Sequence, residues 1–204
     1  MRRAVDIAIA LVLLPLLSPL LLLISVAIIL ESRGNPFYGG WRMGQHGRRF
    51  RMWKFRTMVV GADRIGGAIT TPNDSRITQI GRFLRKSKLD ELPQFFNLLK
   101  GDLTLIGPRP EDPRIAENFT VEQKQILSVK PGITGPVQLS YTVLEAETIP
   151  DCDDADKFYV ERVLDQKLRL DLDYLKTRTV ISDGRVLLRT LALMARALTQ
   201  SGAR

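Results

Sequence analysis

The hydrophobic pattern of the chain begins with an apolar run that is almost unbroken. From Ala4 to Leu30 the only charged residue is Asp6. Roughly 20 consecutive apolar residues are enough for a helix to cross a membrane. Pro15 and the pair Ser18-Pro19 lie in the middle of the run, where proline removes helix hydrogen bonds and bends the axis. The pattern therefore predicts a long hydrophobic helix with a break near its centre.

Basic residues flank this run on both sides, with Arg2 and Arg3 before it and Arg33 and Arg42 after it. The positive-inside rule then gives no preferred direction of crossing. A re-entrant helix over residues 1–32, broken near its centre, satisfies both the charges and the prolines. A simple span is the main alternative. A signal peptide is disfavoured because the run is too long and no small-residue cleavage site follows it.

After residue 32 the periodicity changes repeatedly, as expected for a mixed α/β domain over 33–204. Alternating apolar and basic residues predict a strand over 49–58, and apolar spacing predicts a helix from Ile77 to Lys86. A short strand-like TLI, a polar helix and an imperfect amphipathic helix are predicted at 104–106, 111–130 and 156–177. The apolar tail at 185–200 carries arginines, so it suits either the membrane interface or packing against the domain.

Charge is distributed unevenly along the 204 residues, whose net charge is +8. Residues 31–89 contain 13 Lys/Arg and 3 Asp/Glu, whereas residues 111–173 contain 7 and 14. This asymmetry indicates a basic face directed at phosphates or an anionic membrane, although an ordinary charged surface is the simpler interpretation of any single residue. A nucleic-acid-binding function is disfavoured because no binding motif is recognisable.

Cysteine and histidine are too scarce for several kinds of site. The single cysteine, Cys152, excludes an internal disulfide, and its acidic neighbours disfavour a reactive thiolate. The single histidine, His46, cannot build a multi-histidine metal site and lies in a segment typical of a turn. A carboxylate is therefore the favoured nucleophile if the chemistry is covalent.

The stretch from Ser87 to Pro110 is the best candidate for chemistry. It carries the adjacent acids Asp90-Glu91, and Arg82, Arg85, Lys86 and Lys88 lie just before them or beside them. Carboxylates facing several cations suit a metal-assisted site that acts on phosphate. Two simpler interpretations remain open: Asp90 caps a helix, or Ser87 caps it with Asp90 in the first turn. Consecutive helical residues point about 100° apart, so the two acids cannot have the same role.

Lys54 and Arg56 lie on the predicted strand, where period two points both to one face. That face suits binding to phosphate. A charge-protected edge strand is the alternative.

These features together resemble the bacterial sugar transferase family, the monotopic phosphoglycosyl transferases. The resemblance rests on the proline-broken N-terminal helix and on five motifs, which are KFRTM at 54–58, LDELPQ at 89–94, LKGD at 99–102, GPRP at 107–110 and KPGITG at 130–135. They occur in order over nearly the whole chain. The implied fold is a helix-rich α/β catalytic domain with a small sheet and interfacial amphipathic helices, anchored by a re-entrant helix that turns back at Ser18-Pro19.

The resemblance also implies a reaction. A sugar-1-phosphate would pass from a UDP-sugar to polyprenyl phosphate (undecaprenyl phosphate), giving polyprenyl-diphosphate-sugar and UMP. Asp90 would be the nucleophile that forms a phosphosugar-aspartate, Glu91 would support it, and both would lie at a Mg²⁺ site. Arg85 and Arg109 match family arginines near the phosphate. The implied location is the cytoplasmic face of the bacterial inner membrane, in a glycoconjugate or polysaccharide pathway.

The sequence departs from the family pattern after Gly135, where Pro136 to Thr142 replace the usual residues, and at Gly40, where glutamine is common. These departures affect the expected sugar and nucleotide contacts, so the sugar is not predicted. A catalytically inert membrane-anchored scaffold of the same fold is the alternative function, and the intact Asp90-Glu91 pair argues against it. The sequence leaves a homodimer open.

Overall fold

The apolar N-terminal run folds as a single long helix, α1 (Arg2–Glu31), in a computed structural model that describes residues 2–65, 69–71, 74–140 and 155–201. The helix is long and apolar enough to cross a membrane. Leu21, Ile24 and Ile28 of its C-terminal half pack into a buried cluster with Phe55 and Leu84 of the domain. None of residues 11–20 in the middle of the helix is buried.

Polar contacts attach both ends of α1 to the rest of the chain. Near the start, the Arg3 guanidinium donates to the Leu99 carbonyl oxygen at 2.6 Å, and Asp6 accepts from the Thr104 hydroxyl at 2.9 Å. Near the end, a Glu31 carboxylate oxygen accepts the backbone N–H of Ile80 at 3.0 Å. The helix is therefore docked on the domain at both ends and leaves its middle exposed.

Two strands, β1 (Phe37–Met43) and β2 (Arg49–Phe55), form an antiparallel hairpin. Phe50 and Met52 face the interior, as the alternation predicts. The fully buried Asn97 links β2 to the following helices, because its side chain accepts from the backbone N–H of Trp53 at 2.9 Å and donates to the Arg51 carbonyl at 2.7 Å. This amide fixes the strand that carries Lys54 relative to the candidate stretch.

The candidate stretch, Ser87 to Pro110, and the residues just before it fold into short elements separated by tight turns. They are α2 (Gln79–Ser87), a 3₁₀ turn (Leu89–Glu91), α3 (Gln94–Lys100) and β3 (Thr104–Ile106). Thr78 caps α2 by accepting from the Gly81 N–H at 2.9 Å, and Gly101 ends α3 in the left-handed conformation with φ of 93°. The helix predicted from Ile77 and the TLI strand are both confirmed.

The strand β3 pairs in parallel with β4 (Gly132–Thr134). A Cβ atom on Gly132 would lie 2.1 Å from the Gly107 nitrogen, and one on Gly135 would lie 2.2 Å from the Gly107 oxygen. The glycines of KPGITG are therefore needed for close backbone packing against the GPRP corner.

The remaining chain forms a second apolar cluster around a long helical segment. That segment consists of α5 (Ala155–Phe158), a π-helical turn (Tyr159–Val163) and α6 (Leu164–Thr177). Tyr159, Val163, Leu164 and Leu168 are buried in the cluster. The amphipathic helix predicted over 156–177 is thus confirmed, with a π-helical turn near its start.

The single polar helix predicted over 111–130 is wrong. The structure has a short helix, α4 (Pro113–Ala116), and a separate 3₁₀ segment (Gln123–Ser128). Asp112 caps α4 by accepting from the Arg114 N–H at 3.0 Å, which starts a helix that ends within a turn. The acidic segment with Cys152 lies outside the described residues. A further helical segment covers 136–140.

The tail forms α7 (Val180–Ser201), as predicted, although the helix starts earlier than 185. It packs onto the domain through Val186 and through a 2.7 Å hydrogen bond between the Thr190 and Thr134 hydroxyls. Leu188 and Leu191 on the helix remain exposed, at 69% and 54%. The helix therefore combines packing on one face with an apolar surface on another.

Candidate active site

The pair Asp90-Glu91 lies in the 3₁₀ turn that joins α2 to α3. Lys88, just before the turn, has φ of 58°, a left-handed conformation that is uncommon for residues other than glycine. Neither predicted cap arrangement occurs: Ser87 is the last residue of α2 and donates to the Phe83 carbonyl, and no side chain caps the 3₁₀ turn. The simple interpretation of Asp90 as a helix cap is therefore wrong.

Glu91 is held by two cations. Its Oε1 atom accepts from the Lys54 ammonium at 2.8 Å and from the Arg109 guanidinium at 2.9 Å. Burial opposes ionisation, but Arg109 and Lys54 outweigh it and hold the pKa of Glu91 well below its usual range. Glu91 is therefore a fixed anion that positions Lys54 and Arg109 across the site.

Asp90 has a different environment. It is 6% exposed, its Oδ2 atom lies 3.9 Å from the Lys54 nitrogen, and its buried Oδ1 atom has no hydrogen-bond partner in the described part of the chain. Burial raises the pKa of Asp90 above its ordinary value, against the opposing effect of Lys54. A buried carboxylate oxygen without a partner costs free energy, so such an atom calls for a functional explanation. The two neighbouring acids thus have different environments, and their separate roles stay a prediction.

Two more cations lie close enough to act electrostatically on Asp90, namely Lys88 and Arg85. Arg85 donates through Nε to the Thr57 hydroxyl at 2.8 Å, which ties its guanidinium to the segment that follows β2. Burial lowers the pKa of Arg85, and Asp90 opposes that shift. Four cations therefore lie around the pair, so their positive charge exceeds the negative charge of the two carboxylates.

Among the predicted site residues, the structure brings together Asp90, Glu91, Lys54, Arg109 and Arg85. Arg56 follows the last residue of β2, and its guanidinium donates to the Ser32 hydroxyl at 3.0 Å and to the Ser32 and Arg33 carbonyl oxygens. The strand ends at Phe55, so Lys54 and Arg56 no longer share a face. Arg56 supports the C-terminal end of α1, and its predicted contact with phosphate stays a prediction.

Ser18 and Pro19 lie in the exposed middle of α1. Pro19 has no N–H to donate to the carbonyl of Pro15, four residues before it. The Ser18 hydroxyl donates to that same Pro15 oxygen at 2.8 Å. The helix continues through this pair, so a re-entrant break here stays a prediction. The missing Pro19 N–H and the Ser18–Pro15 hydrogen bond are local features that suit a bend.

Sequence reasoning missed a buried polar group behind the site. Asp171 is 3% exposed, and one of its carboxylate oxygens accepts the backbone N–H of Arg109 at 3.2 Å. Nearby, the Lys167 ammonium donates to the Tyr159 hydroxyl at 2.6 Å, which donates to Glu111 at 2.7 Å. These groups hold the GPRP corner against α6. The only signal in the sequence was an acid at an otherwise apolar helix position, between Leu170 and Leu172.

Burial has a strong effect on this carboxyl group. It raises the pKa of Asp171 to about 7, while the N–H of Arg109 and the Lys167 ammonium partly oppose the shift and Glu111 adds to it.

The carboxylate pair is compatible with Mg²⁺ only if substrate phosphates and water supply the other ligands of the ion. Among the described residues no group of three acids, histidines or cysteines could hold a metal. Mg²⁺ bound through one or two carboxylates usually takes its other ligands from water and substrate phosphates. The free Oδ1 atom of Asp90 suits this mode, whereas the Oε1 atom of Glu91 is already occupied by Lys54 and Arg109.

This geometry defines a class of protein. The site combines a buried carboxylate with a free oxygen, an adjacent fixed anion and several further cations. Such a site suits a phosphate ester that the cations bind beside a carboxylate nucleophile. Consistent with that class, the family model described as "Bacterial sugar transferase" matches residues 1–197. The chain therefore belongs to the bacterial sugar transferase family.

Relatives with related names match much of the chain. The UDP-N-acetylgalactosamine-undecaprenyl-phosphate N-acetylgalactosaminephosphotransferase of Aeromonas hydrophila is 42% identical over 68% of this chain and 33% of its own length. The UDP-glucose:undecaprenyl-phosphate glucose-1-phosphate transferase of Escherichia coli (strain K12) is 33% identical over 94% of this chain and 39% of its own length. The Caulobacter vibrioides protein of that name is 33% identical over 93% and 68%. The chain thus spans between a third and two fifths of the first two relatives.

Proposed function

We propose that this protein transfers a sugar-1-phosphate from a UDP-sugar to undecaprenyl phosphate or a similar polyprenyl phosphate. The products are the polyprenyl-diphosphate-sugar and UMP. The observation that carries the proposal is Asp90, a buried carboxyl with an unpartnered oxygen, set among Lys54, Lys88 and Arg85. The names of the relatives support the acceptor and the type of group transferred.

In this proposal the reaction has two displacements at one carboxylate. An Asp90 oxygen attacks the sugar-linked phosphorus, the bond from that phosphorus to the UMP oxygen breaks, and UMP leaves with the electron pair. An oxygen of the lipid phosphate then attacks the same phosphorus, and the bond to Asp90 breaks. The second step returns Asp90 to its starting state.

The surrounding residues supply positioning and charge. Glu91 keeps Lys54 and Arg109 in place through ion pairs of 2.8 and 2.9 Å, and these cations offset the repulsion between phosphate and carboxylate. When bound, Mg²⁺ would be held by Asp90 with the substrate phosphates, with Glu91 beside it, and would neutralise part of the diphosphate charge.

We also propose that α1 is a re-entrant anchor and that the site acts at the cytoplasmic face of the inner membrane. Both ends of α1 contact the domain, through Arg3 and Asp6 at one end and through Glu31 at the other. None of residues 11–20 in the apolar middle is buried, as expected for a segment that contacts lipid. Such an anchor would keep the site at the depth of the phosphate group of the lipid acceptor.

UMP release tests the function. Detergent-solubilised protein is incubated with Mg²⁺ and a panel of UDP-sugars, with and without undecaprenyl phosphate. We expect sustained UMP release that needs one particular sugar and the lipid, and no release from Asp90→Asn. Full activity of Asp90→Asn contradicts the mechanism, and no release from folded wild-type protein with any sugar favours the inert scaffold.

Cysteine labelling from both sides of the membrane tests the topology. A cysteine at residue 2 and one at residue 33 are expected to react from the same side. Labelling from opposite sides would mean that α1 spans the bilayer.

A further inference from the structure

The backbone at Lys88 is unusual for the position it occupies. Apart from glycine, the described residues with positive φ are His46, in the connection between β1 and β2, and Lys88, between α2 and the 3₁₀ turn. A residue that ends a helix in the left-handed conformation is most often glycine or asparagine, because a Cβ atom is disfavoured there. A lysine in this conformation raises the free energy of the folded backbone, and such strain is usually retained where the side chain has a function.

The Lys88 side chain lies within the site. Its ammonium interacts electrostatically with Glu91 and Asp90, and also with the cations Arg109 and Lys54. The residue is partly buried. Lys54 and Arg109 both have an ion pair with Glu91, whereas no described residue forms an ion pair or a side-chain hydrogen bond with Lys88.

A partly buried cation without a partner is costly unless an anion binds to it. The neighbouring carboxylates cannot fill this role fully, because Glu91 is already shared by Lys54 and Arg109, and Asp90 lies beyond ion-pair distance from Lys88. The anion that enters this site in the proposed reaction is a phosphate. Lys88 and Arg85 are the cations around Asp90 that lack a carboxylate partner among the described residues.

We propose that Lys88 is a further substrate-binding residue, whose ammonium binds a phosphoryl oxygen beside Asp90 and whose left-handed backbone holds it there. This inference rests on the proposed function. The phosphoryl oxygen can belong to the nucleotide-sugar diphosphate or to the lipid phosphate, since the chemistry of the two is the same. The contact would act as a fixed positive charge next to the nucleophile.

The test compares Lys88→Gln, Lys88→Arg and Lys88→Gly with the wild type, in steady-state UMP release with each phosphate substrate varied in turn. Lys88→Gln is expected to lower kcat/KM roughly 10- to 100-fold, the usual effect of losing a charge-assisted hydrogen bond. Lys88→Arg should retain most of that activity. A higher KM for the UDP-sugar would assign the contact to the donor, and a higher KM for the lipid would assign it to the acceptor.

Lys88→Gly separates binding from folding. Glycine suits the left-handed conformation, so this variant is expected to unfold at the wild-type temperature or above it while losing activity as Lys88→Gln does. The control is Lys124→Gln, which removes an exposed lysine charge from the 3₁₀ segment Gln123–Ser128 and should leave kcat/KM within about twofold.

The outcomes distinguish the two proposals. Calorimetric binding of the UDP-sugar and of UMP is measured alongside turnover. Wild-type protein that binds nucleotide but never releases UMP contradicts the proposed function alone. Lys88→Gln with wild-type kinetics and wild-type nucleotide affinity, or Lys88→Gly with full activity, overturns the role of Lys88.

Discussion

Asp171 makes the stability of this protein depend on pH in a way that one substitution can isolate. Its carboxyl is 3% exposed and has a pKa of about 7, whereas in an unfolded chain it ionises near 3.9. Between these values the folded protein retains a proton that the unfolded chain releases. The contribution of Asp171 to stability therefore falls as pH rises through this window and is constant above it.

The magnitude follows from the size of the shift. A displacement of about three pH units at about 1.4 kcal/mol per unit corresponds to a full cost of about 4 kcal/mol above neutral pH. Much of this cost develops between pH 5 and pH 8. Asp171→Asn keeps an oxygen that can accept from the Arg109 N–H and has no charge to bury. From pH 5 to pH 8, the free energy of unfolding of the variant should therefore rise by roughly 2 to 3 kcal/mol relative to that of the wild type.

Thermal unfolding of the detergent-solubilised proteins, followed by circular dichroism, measures this gain. For a chain of this size the difference in Tm between variant and wild type should move by roughly 5 to 10 °C from pH 5 to pH 8. The control is Asp173→Asn on the same helix, where the carboxylate is exposed and pairs with Lys176 at 3.0 Å. Its Tm should follow the wild type at both pH values. A constant difference between Asp171→Asn and the wild type would refute a buried, raised-pKa carboxyl.

Three further predictions concern the nucleophile and the docking of α1. The pH profile of kcat/KM should fall on the acid side with an apparent pKa above that of an ordinary aspartate, because burial raises the pKa of Asp90; a profile flat to pH 4 would contradict this. Asp6→Ala should destabilise the protein by about 1 to 3 kcal/mol, because the Thr104 hydroxyl and the Leu105 N–H lose their acceptor; an unchanged unfolding midpoint would contradict it. Ser18→Ala should weaken same-side labelling of residues 2 and 33, because the Pro15 carbonyl loses its donor in lipid; unchanged labelling would place the determinant elsewhere.

Much of the fold could be predicted from local patterns. The run of apolar residues, the alternation around Phe50 and Met52 and the glycine at 101 each have one dominant structural outcome. The failure over 111–130 has a physical cause, because Asp112 caps a helix that ends at Ala116 and the next ordered turn is a 3₁₀ segment. Local polarity does not reveal where such a helix ends.

The clustering of the candidate site residues was predictable where motif and charge agreed. Asp90, Glu91, Lys54, Arg85 and Arg109 are brought together. Period two placed Arg56 with Lys54, but that rule holds only inside a strand, and β2 ends at Phe55.

Contacts between distant segments were not predictable from local patterns. Asp171 meets the Arg109 N–H across 62 positions, and Arg3 meets the end of α3 across more than 90. No periodicity within one segment encodes such pairs, which depend on how the segments pack in three dimensions. The left-handed backbone at Lys88 is hidden for a related reason, because lysine is not a residue from which that conformation is expected.

The mass of the intact protein, measured after incubation with Mg²⁺ and the preferred UDP-sugar without lipid acceptor, tests the proposed covalent step most directly. We expect an added mass of one sugar phosphate, located on Asp90 by peptide fragmentation, absent from Asp90→Asn and lost when undecaprenyl phosphate is added. Sustained turnover with no such adduct, or an adduct on another residue, would contradict a covalent mechanism at Asp90.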